Sequence, residues 1–422
     1  MLTTTAVNKN ETKASAYAWI ILLVIFLASF AIPVNMFKVP PIAPSLFSTF
    51  GLDPSTFGLL MSAFNLTGII LALPASGIAN KLGLKITTLA AVACCALGSL
   101  IGTFAGTIEV MLASRFVEGA GMAVFGVTAP AAIVAWFPKE KRGLALGLWS
   151  MYMPVGSILM FNLAPLMAGD GNWQAVWWFT TIYSVAATVF FALFFKMPDR
   201  EPASGRASEA SGAGEPDGLM PGEPEASPTS TPGSSRAAAV GLILLASMFA
   251  LVVLCGNGSI NTYLPTFLQT ERSLSPVTAG LVTSVSAGLG IVGSPLAGFL
   301  SDRLNSRKWL IVGALVVLLV VFWFMFAFTN PIEMWVSIVL SGLASSTIAV
   351  CTMALVPEIA QKPKMINLGM GAVAFGLSVG STLGGMALGW MLPPFGWEVG
   401  SHLLLLPLTA LALVVTLFIK AR

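Results

Sequence analysis

Long apolar blocks separated by short polar ones set the plan of this chain. About twelve apolar stretches of roughly 20 to 28 residues occur, six before and six after a hydrophilic segment from Met197 to Arg236. Each is long enough to cross a hydrocarbon core of about 30 Å as a helix. The predicted spans lie near residues 17–45, 56–80, 86–105, 109–137, 143–168 and 173–196, then 237–268, 276–300, 308–328, 331–357, 366–392 and 397–420. The fold class this predicts is an all-α membrane protein with 12 transmembrane helices.

Composition agrees, because 56% hydrophobic and 9% charged residues leave too little polar surface for a soluble body of 422 residues. The net charge of +3 is small. The basic residues form no stripe with interleaved aromatics, so no nucleic-acid partner is expected. What carries information is their placement. With the amino terminus in the cytoplasm, 18 of the 21 Lys and Arg residues fall on the cytoplasmic side, among them Lys81, Lys85, Lys139, Lys141, Arg142, Lys196, Arg303, Arg307 and Lys308. The positive-inside rule therefore sets both termini in the cytoplasm. Each of the six outside turns carries an acid instead, namely Asp53, Glu109, Asp170, Glu271, Glu333 and Glu398, and only Arg272 is basic there. Inside the spans three charged residues remain: Lys38, Arg115 and Glu118.

The polar amino terminus runs directly into a span, so no removable signal is expected. Cys94, Cys95, Cys255 and Cys351 all lie in apolar spans, which points to packing rather than to disulfides or a metal site. No Gly-x-x-x-x-Gly-Lys phosphate loop is present, so neither ATP drive nor a cofactor is expected.

The segment from Glu201 to Ser235, rich in Gly, Pro, Ser, Ala and Glu, cannot bury a core and is expected to be disordered. The predicted organisation is a cytoplasmic tail at 1–16, a six-helix bundle at 17–196, a cytoplasmic linker at 197–236 and a second six-helix bundle at 237–422. The halves are related. Laying Gly58-Leu59 on Gly280-Leu281 also brings Ser62 onto Ser284, Gly68 onto Gly290, Asn80-Lys81 onto Asp302-Arg303 and Asn35 onto Asn257. Such a shared register is the signature of a parallel repeat, two pseudo-symmetric bundles about an axis along the membrane normal.

After the eighth span comes Gly298-Phe-Leu-Ser-Asp302-Arg303-Leu-Asn-Ser-Arg307-Lys308, and the fourth span carries Arg115-Phe-Val-Glu118-Gly119. The first resembles the loop signature of the major facilitator superfamily. The second resembles that superfamily's Arg-x-x-Gln-Gly motif, with Glu in the Gln position. The first-half loop copy, Gly77-Ile-Ala-Asn80-Lys81, has Asn80 where the signature has aspartate. The resemblance implies an alternating-access transporter whose first, fourth, seventh and tenth spans line a central cavity. It also implies that Asp302, Arg303 and Arg307 act as a conformational latch at the cytoplasmic interface. Phe37-Lys38-Val-Pro-Pro resembles the first span of cyanate and nitroimidazole permeases and of organic anion:cation symporters, although Phe37 stands where the symporters have aspartate and Met122 where they have a second acid. Nitrate is disfavoured, since the second and eighth spans lack arginine and the eleventh lacks a Gly-Asn-Gly core.

A charge held in mid-bilayer is costly, so intramembrane ionisable residues mark a functional site. Two fixed cations, Lys38 and Arg115, favour an anionic substrate. Glu118, one helical turn from Arg115, is the candidate proton carrier. Asn35, Asn65, Tyr152, Asn257 and Asn261 are neutral candidates for the rest of the substrate site. His402, near the outside start of the last span, is expected to be structural or interfacial. The expected function is secondary active transport of a small anionic solute in symport with protons, by a monomer in a bacterial cytoplasmic membrane. A facilitator or exporter of a neutral or weakly cationic compound is the alternative in the same class, and a non-transporting membrane sensor the alternative in another. A membrane enzyme is not expected, because the spans offer no acid, base or metal cluster beyond the charged triplet.

Overall fold

The computed structural model describes residues 16–169, 171–197, 232–304, 306–360 and 363–419, and these form helices joined by short turns, with no strand among them. The first span is α1 (Ala16–Ser29), α2 (Ala31–Phe37), a 3-10 turn (Pro40–Ile42) and α3 (Ala43–Phe50). It is followed by α4 (Pro54–Leu82), α5 (Leu84–Thr103), α6 (Ile108–Trp136), α7 (Lys139–Ser150), α8 (Tyr152–Ala168) and α9 (Trp173–Phe194). The second half comprises α10 (Pro232–Val253), a π turn (Leu254–Ile260), α11 (Asn261–Thr270), α12 (Pro276–Leu304), α13 (Arg307–Phe324), α14 (Pro331–Ala360) and α15 (Pro363–Phe418).

Among the described residues, eleven helical stretches are long and apolar enough to cross a membrane. The last, Leu368–Phe418, runs for 51 residues, more than twice what one crossing needs. It turns at Gly396, whose φ of 72° and ψ of −177° are open to glycine and closed to other residues. The first span runs on to Phe50, beyond the predicted end at 45, where the left-handed Gly51 stops it and Asp53 caps α4 by accepting from Thr56 N. Helix α10 starts at Pro232 rather than at 237, since proline suits a first helical turn. The expected tail at 1–16 and the linker expected at 197–236 lie outside the described residues, apart from Ala16, Met197 and the first turn of α10.

The most extensive seams between the halves are α4 against α15 and α8 against α12. Both depend on glycine. A methyl group on Gly58 would meet the Gly385 carbonyl, and one on Gly280 would fall on the Phe161 carbonyl, so the backbones touch where side chains would hold them apart. Hydrogen bonds cross at the same end of the molecule: Ser62 Oγ donates to Thr382 O, Tyr263 OH to Pro54 O at 2.7 Å, Gln269 Nε2 to Pro41 O at 3.0 Å, and Asn162 Nδ2 to Ser284 Oγ at 3.0 Å. All four lie toward the turns that carry Asp53 and Glu271, so the molecule is sealed at that end.

Overpacking such a contact costs about 1–3 kcal/mol. Gly58→Ala and Gly280→Ala should therefore each shift the equilibrium away from this closure by roughly 5- to 150-fold. Thiol labelling of a cysteine introduced at Ser284, applied from the sealed side, should speed up in both variants. Unchanged labelling would mean that these seams do not set the conformational balance.

Candidate functional site

The first span breaks because Pro40 and Pro41 have no N–H with which to bond the carbonyls four residues back, at Met36 and Phe37. Lys38 is the C-cap of α2. A cation suits that place, since the last carbonyls of a helix carry a partial negative charge. The break turns the lysine into the bundle. Its side chain is fully buried, and the three protons of Nζ are shared among Glu118 Oε1 at 2.6 Å, Asn35 Oδ1 at 3.0 Å, Ser99 Oγ at 3.1 Å and Thr180 Oγ1 at 3.2 Å. The Trp177 ring faces the ammonium with its centroid 4.4 Å away. Lys38 thus does not reach out to the bilayer interface, as a snorkelling lysine would.

Arg115 completes what the prolines interrupt. Its Nη1 donates to Asn35 O at 2.6 Å and its Nη2 reaches Met36 O at 3.4 Å, so it caps the carbonyl end of α2. The same Nη1 meets Glu118 Oε2 at 2.5 Å, and the guanidinium lies 4.5 Å from the Phe64 ring centroid. Glu118 therefore divides its two oxygens between two cations. All three side chains have 0% accessibility. Room for the carboxylate comes from Gly98 on α5, where a Cβ would stand 2.6 Å from Glu118 Cγ.

The cluster carries two positive charges and one negative. The carbonyl end of α2 offsets part of the excess, worth about half a charge for a full helix terminus. Donors also outnumber acceptors: Arg115 Nε and Trp177 Nε1 are buried without an acceptor among the described residues. Removing Glu118 from such a buried set would cost about 3–5 kcal/mol, because both cations would be left without a counter-charge, whereas removing either cation leaves the other paired with the carboxylate.

A separate cavity of about 350 Å³ lies on the second-half side. It is lined by Asn257 and Asn261, by Ser286 and Ser294 of α12, by Ser341, Ser345 and Ser346 of α14, and by Pro154 of α8 from the first half. None of its lining side chains is charged. The π turn shapes this wall. Gly256 and Gly258 loosen the helix, Ser259 Oγ donates to Leu254 O five residues back, and Gly258 packs on Gly384 of α15. The wide turn is held further by Asn257, whose Nδ2 donates to Ser381 Oγ at 3.1 Å while its Oδ1 accepts from Asn261 at 3.1 Å. Wide turns of this kind recur at functional sites.

The structure thus gathers Lys38, Arg115, Glu118 and Asn35 in one place and Asn257 and Asn261 in another. Asn35 also donates from Nδ2 to Ala31 O and to Ser184 Oγ. Asn65, buried on α4, has only a 3.5 Å contact from Nδ2 to Met61 O. Tyr152 begins α8 with its ring 5.0 Å from that of Trp149. Arg307 binds Glu358 Oε1 at 2.5 Å and Ala354 O at 2.8 Å, which ties the start of α13 to α14 within the second half. Arg303 is exposed, and the Asp302 side chain lies outside the described residues. Sequence reasoning missed Ser99, Thr180 and Trp177, which sit on α5 and α9 with no motif around them. It also missed the serines of α12 and α14, although three hydroxyls within six residues of one span, Ser341, Ser345 and Ser346, form a readable cue.

The sequence matches the family model of the Major Facilitator Superfamily over residues 25–254 and 246–422. It is 25% identical over 290 residues to a probable sulfoacetate transporter of Cupriavidus necator, a match that covers 68% of this chain and 65% of that protein, just under two thirds of its length. A probable galactarate/D-glucarate transporter of Escherichia coli is 22% identical over 319 residues, covering 72% of this chain and 69% of the relative. The solved structure of a bacterial homolog of the human lysosomal transporter Spinster, inward-facing and unoccupied, matches in fold with a TM-score of 0.74 at 16% identity, over 96% of this chain and 95% of that one. The chain belongs to the Major Facilitator Superfamily.

Proposed function

We propose that this member of the Major Facilitator Superfamily is a proton-coupled secondary active transporter of a small organic anion, a carboxylate or a sulfonate. The observation that carries the reading is the buried cluster in which Lys38 and Arg115 share the single carboxylate of Glu118. Protonating Glu118 takes away the one anion that two cations share. In a site closed to solvent, a substrate carboxylate or sulfonate is then the natural replacement, and when it leaves, Glu118 releases its proton and pairs again with both cations. The names of the two relatives, one a sulfoacetate and the other a galactarate/D-glucarate transporter, support the same substrate class. The serine- and asparagine-lined cavity supplies hydroxyl and amide partners for the rest of the solute. In this reading the termini are cytoplasmic, the sealed end faces outward from a bacterial cytoplasmic membrane, and the turn at Asp302 and Arg303 with Arg307 latches the opposite state.

The test is thermal stabilisation of the purified protein by sulfoacetate, D-glucarate and the uncharged polyol D-glucitol. At least one of the two anions should raise the melting temperature, and by more at acidic than at alkaline pH, while the polyol leaves it unchanged. Stabilisation by D-glucitol alone would instead support transport of a neutral polar compound. The uncharged lining of the cavity favours that second reading.

A further inference from the structure

We infer that the first half carries a binding site for the phosphate headgroup of an anionic phospholipid, built where four helix ends meet. Tyr17 opens α1, Lys85 stands second in α5, Trp136 closes α6, and Lys196 lies two residues beyond the end of α9. These residues, with Met197, line a cleft of about 520 Å³ at one end of the bundle. The cleft is braced: Trp136 Nε1 donates to Lys196 O at 3.0 Å, and the Tyr17 and Trp136 rings stand 5.4 Å apart. No acidic side chain among the described residues pairs with either lysine.

Two ammonium groups and two amphipathic aromatics at span ends form the combination that recognises a lipid phosphate at the membrane surface. The lysines bind the anion, and the rings sit at headgroup depth. Phosphate chemistry alone would fit a free ion equally well. What selects a lipid is the neighbouring surface, since Ile20, Ile86, Leu193 and Phe194 on three of the same helix ends are exposed and apolar, a path for acyl chains. All four helix ends belong to the face on which the basic residues of the chain collect. This site is independent of the transport reading, because none of its residues belongs to the charged cluster or to the cavity.

The full-length protein, stripped of lipid in detergent, is offered dioleoyl phosphatidylglycerol or dioleoyl phosphatidylcholine, and retained lipid is counted by native mass spectrometry. Two cations at a membrane surface imply a preference for the anionic lipid of roughly 30-fold. Lys85→Gln with Lys196→Gln should abolish that preference, whereas Lys85→Arg with Lys196→Arg should keep it, which separates lost charge from lost folding. Equal retention of both lipids by the parent, or an unchanged preference in the glutamine variant, would overturn the proposal. So would inorganic phosphate displacing phosphatidylglycerol at millimolar concentration, since the cleft would then be a free-phosphate site.

Discussion

Arg115→Gln and Lys38→Gln should each weaken anion binding at least tenfold, about 1.4 kcal/mol, in protein that still inserts into the membrane. Folding survives because each variant leaves one cation facing Glu118, so no buried charge is stranded. The two should differ in stability. Arg115 also caps α2 through the Asn35 and Met36 carbonyls, and a buried carbonyl left without a donor costs about 1–3 kcal/mol. Lys38→Gln leaves those carbonyls bonded to Arg115, and a glutamine amide can still meet Asn35, Ser99 and Thr180. Arg115→Gln should therefore melt at the lower temperature while the two lose affinity alike. Calorimetric titration with the stabilising anion, set beside thermal melts, separates the effects. Parent-like affinity in both variants would show that the cluster fixes helix packing and binds nothing.

The spans were legible because their signal is local: an uninterrupted apolar run predicts a crossing wherever it occurs. Lys38, Arg115 and Glu118 stood out for the same reason, as charges where charges are costly. The link between Arg115 and Glu118 could also be read, since residues three apart share a helix face. The link between Lys38 and Glu118 spans 80 positions and depends on where α2 stops, which Pro40 and Pro41 decide. Ser99 and Thr180 could not be found at all. A hydroxyl in an apolar helix commonly bonds its own backbone, as Thr88 does to Leu84 O and Thr128 to Val124 O, and only packing turns it to another partner. The π turn was hidden too, because Gly256-Asn257-Gly258 in an apolar stretch reads equally as a loosened α-helix.

Cluster and cavity also divide the work in a way their sequence positions do not suggest. The charges belong to the first half, where helix ends and hydroxyls hold them fast. The uncharged polar wall belongs to the second half, where a wide turn and serines leave open space. On the proposed reading, charge selection and shape selection would be carried by opposite bundles, and a solute that engages both would favour one conformation over another.

Glu118→Gln tests the coupling itself and should have the largest effect of any single change in this chain. The amide mimics the protonated acid, so the variant is held permanently at one point of the cycle. In proteoliposomes with an imposed pH gradient, concentrative uptake should vanish while exchange of labelled for unlabelled anion continues. The stability consequence runs in parallel and has a distinctive sign. Without the carboxylate, Lys38 and Arg115 face each other as uncompensated buried cations, at a cost of about 3–5 kcal/mol, and the empty variant should melt well below the parent. A bound anion then takes over the place of Glu118, so the substrate should raise the melting temperature of Glu118→Gln by more than it raises that of the parent. A glutamate that only braced the bundle would give the lower melt without this rescue. Gradient-driven accumulation at the parent level would remove Glu118 from the coupling mechanism, and transport would then be driven either by another ion or by the solute gradient alone.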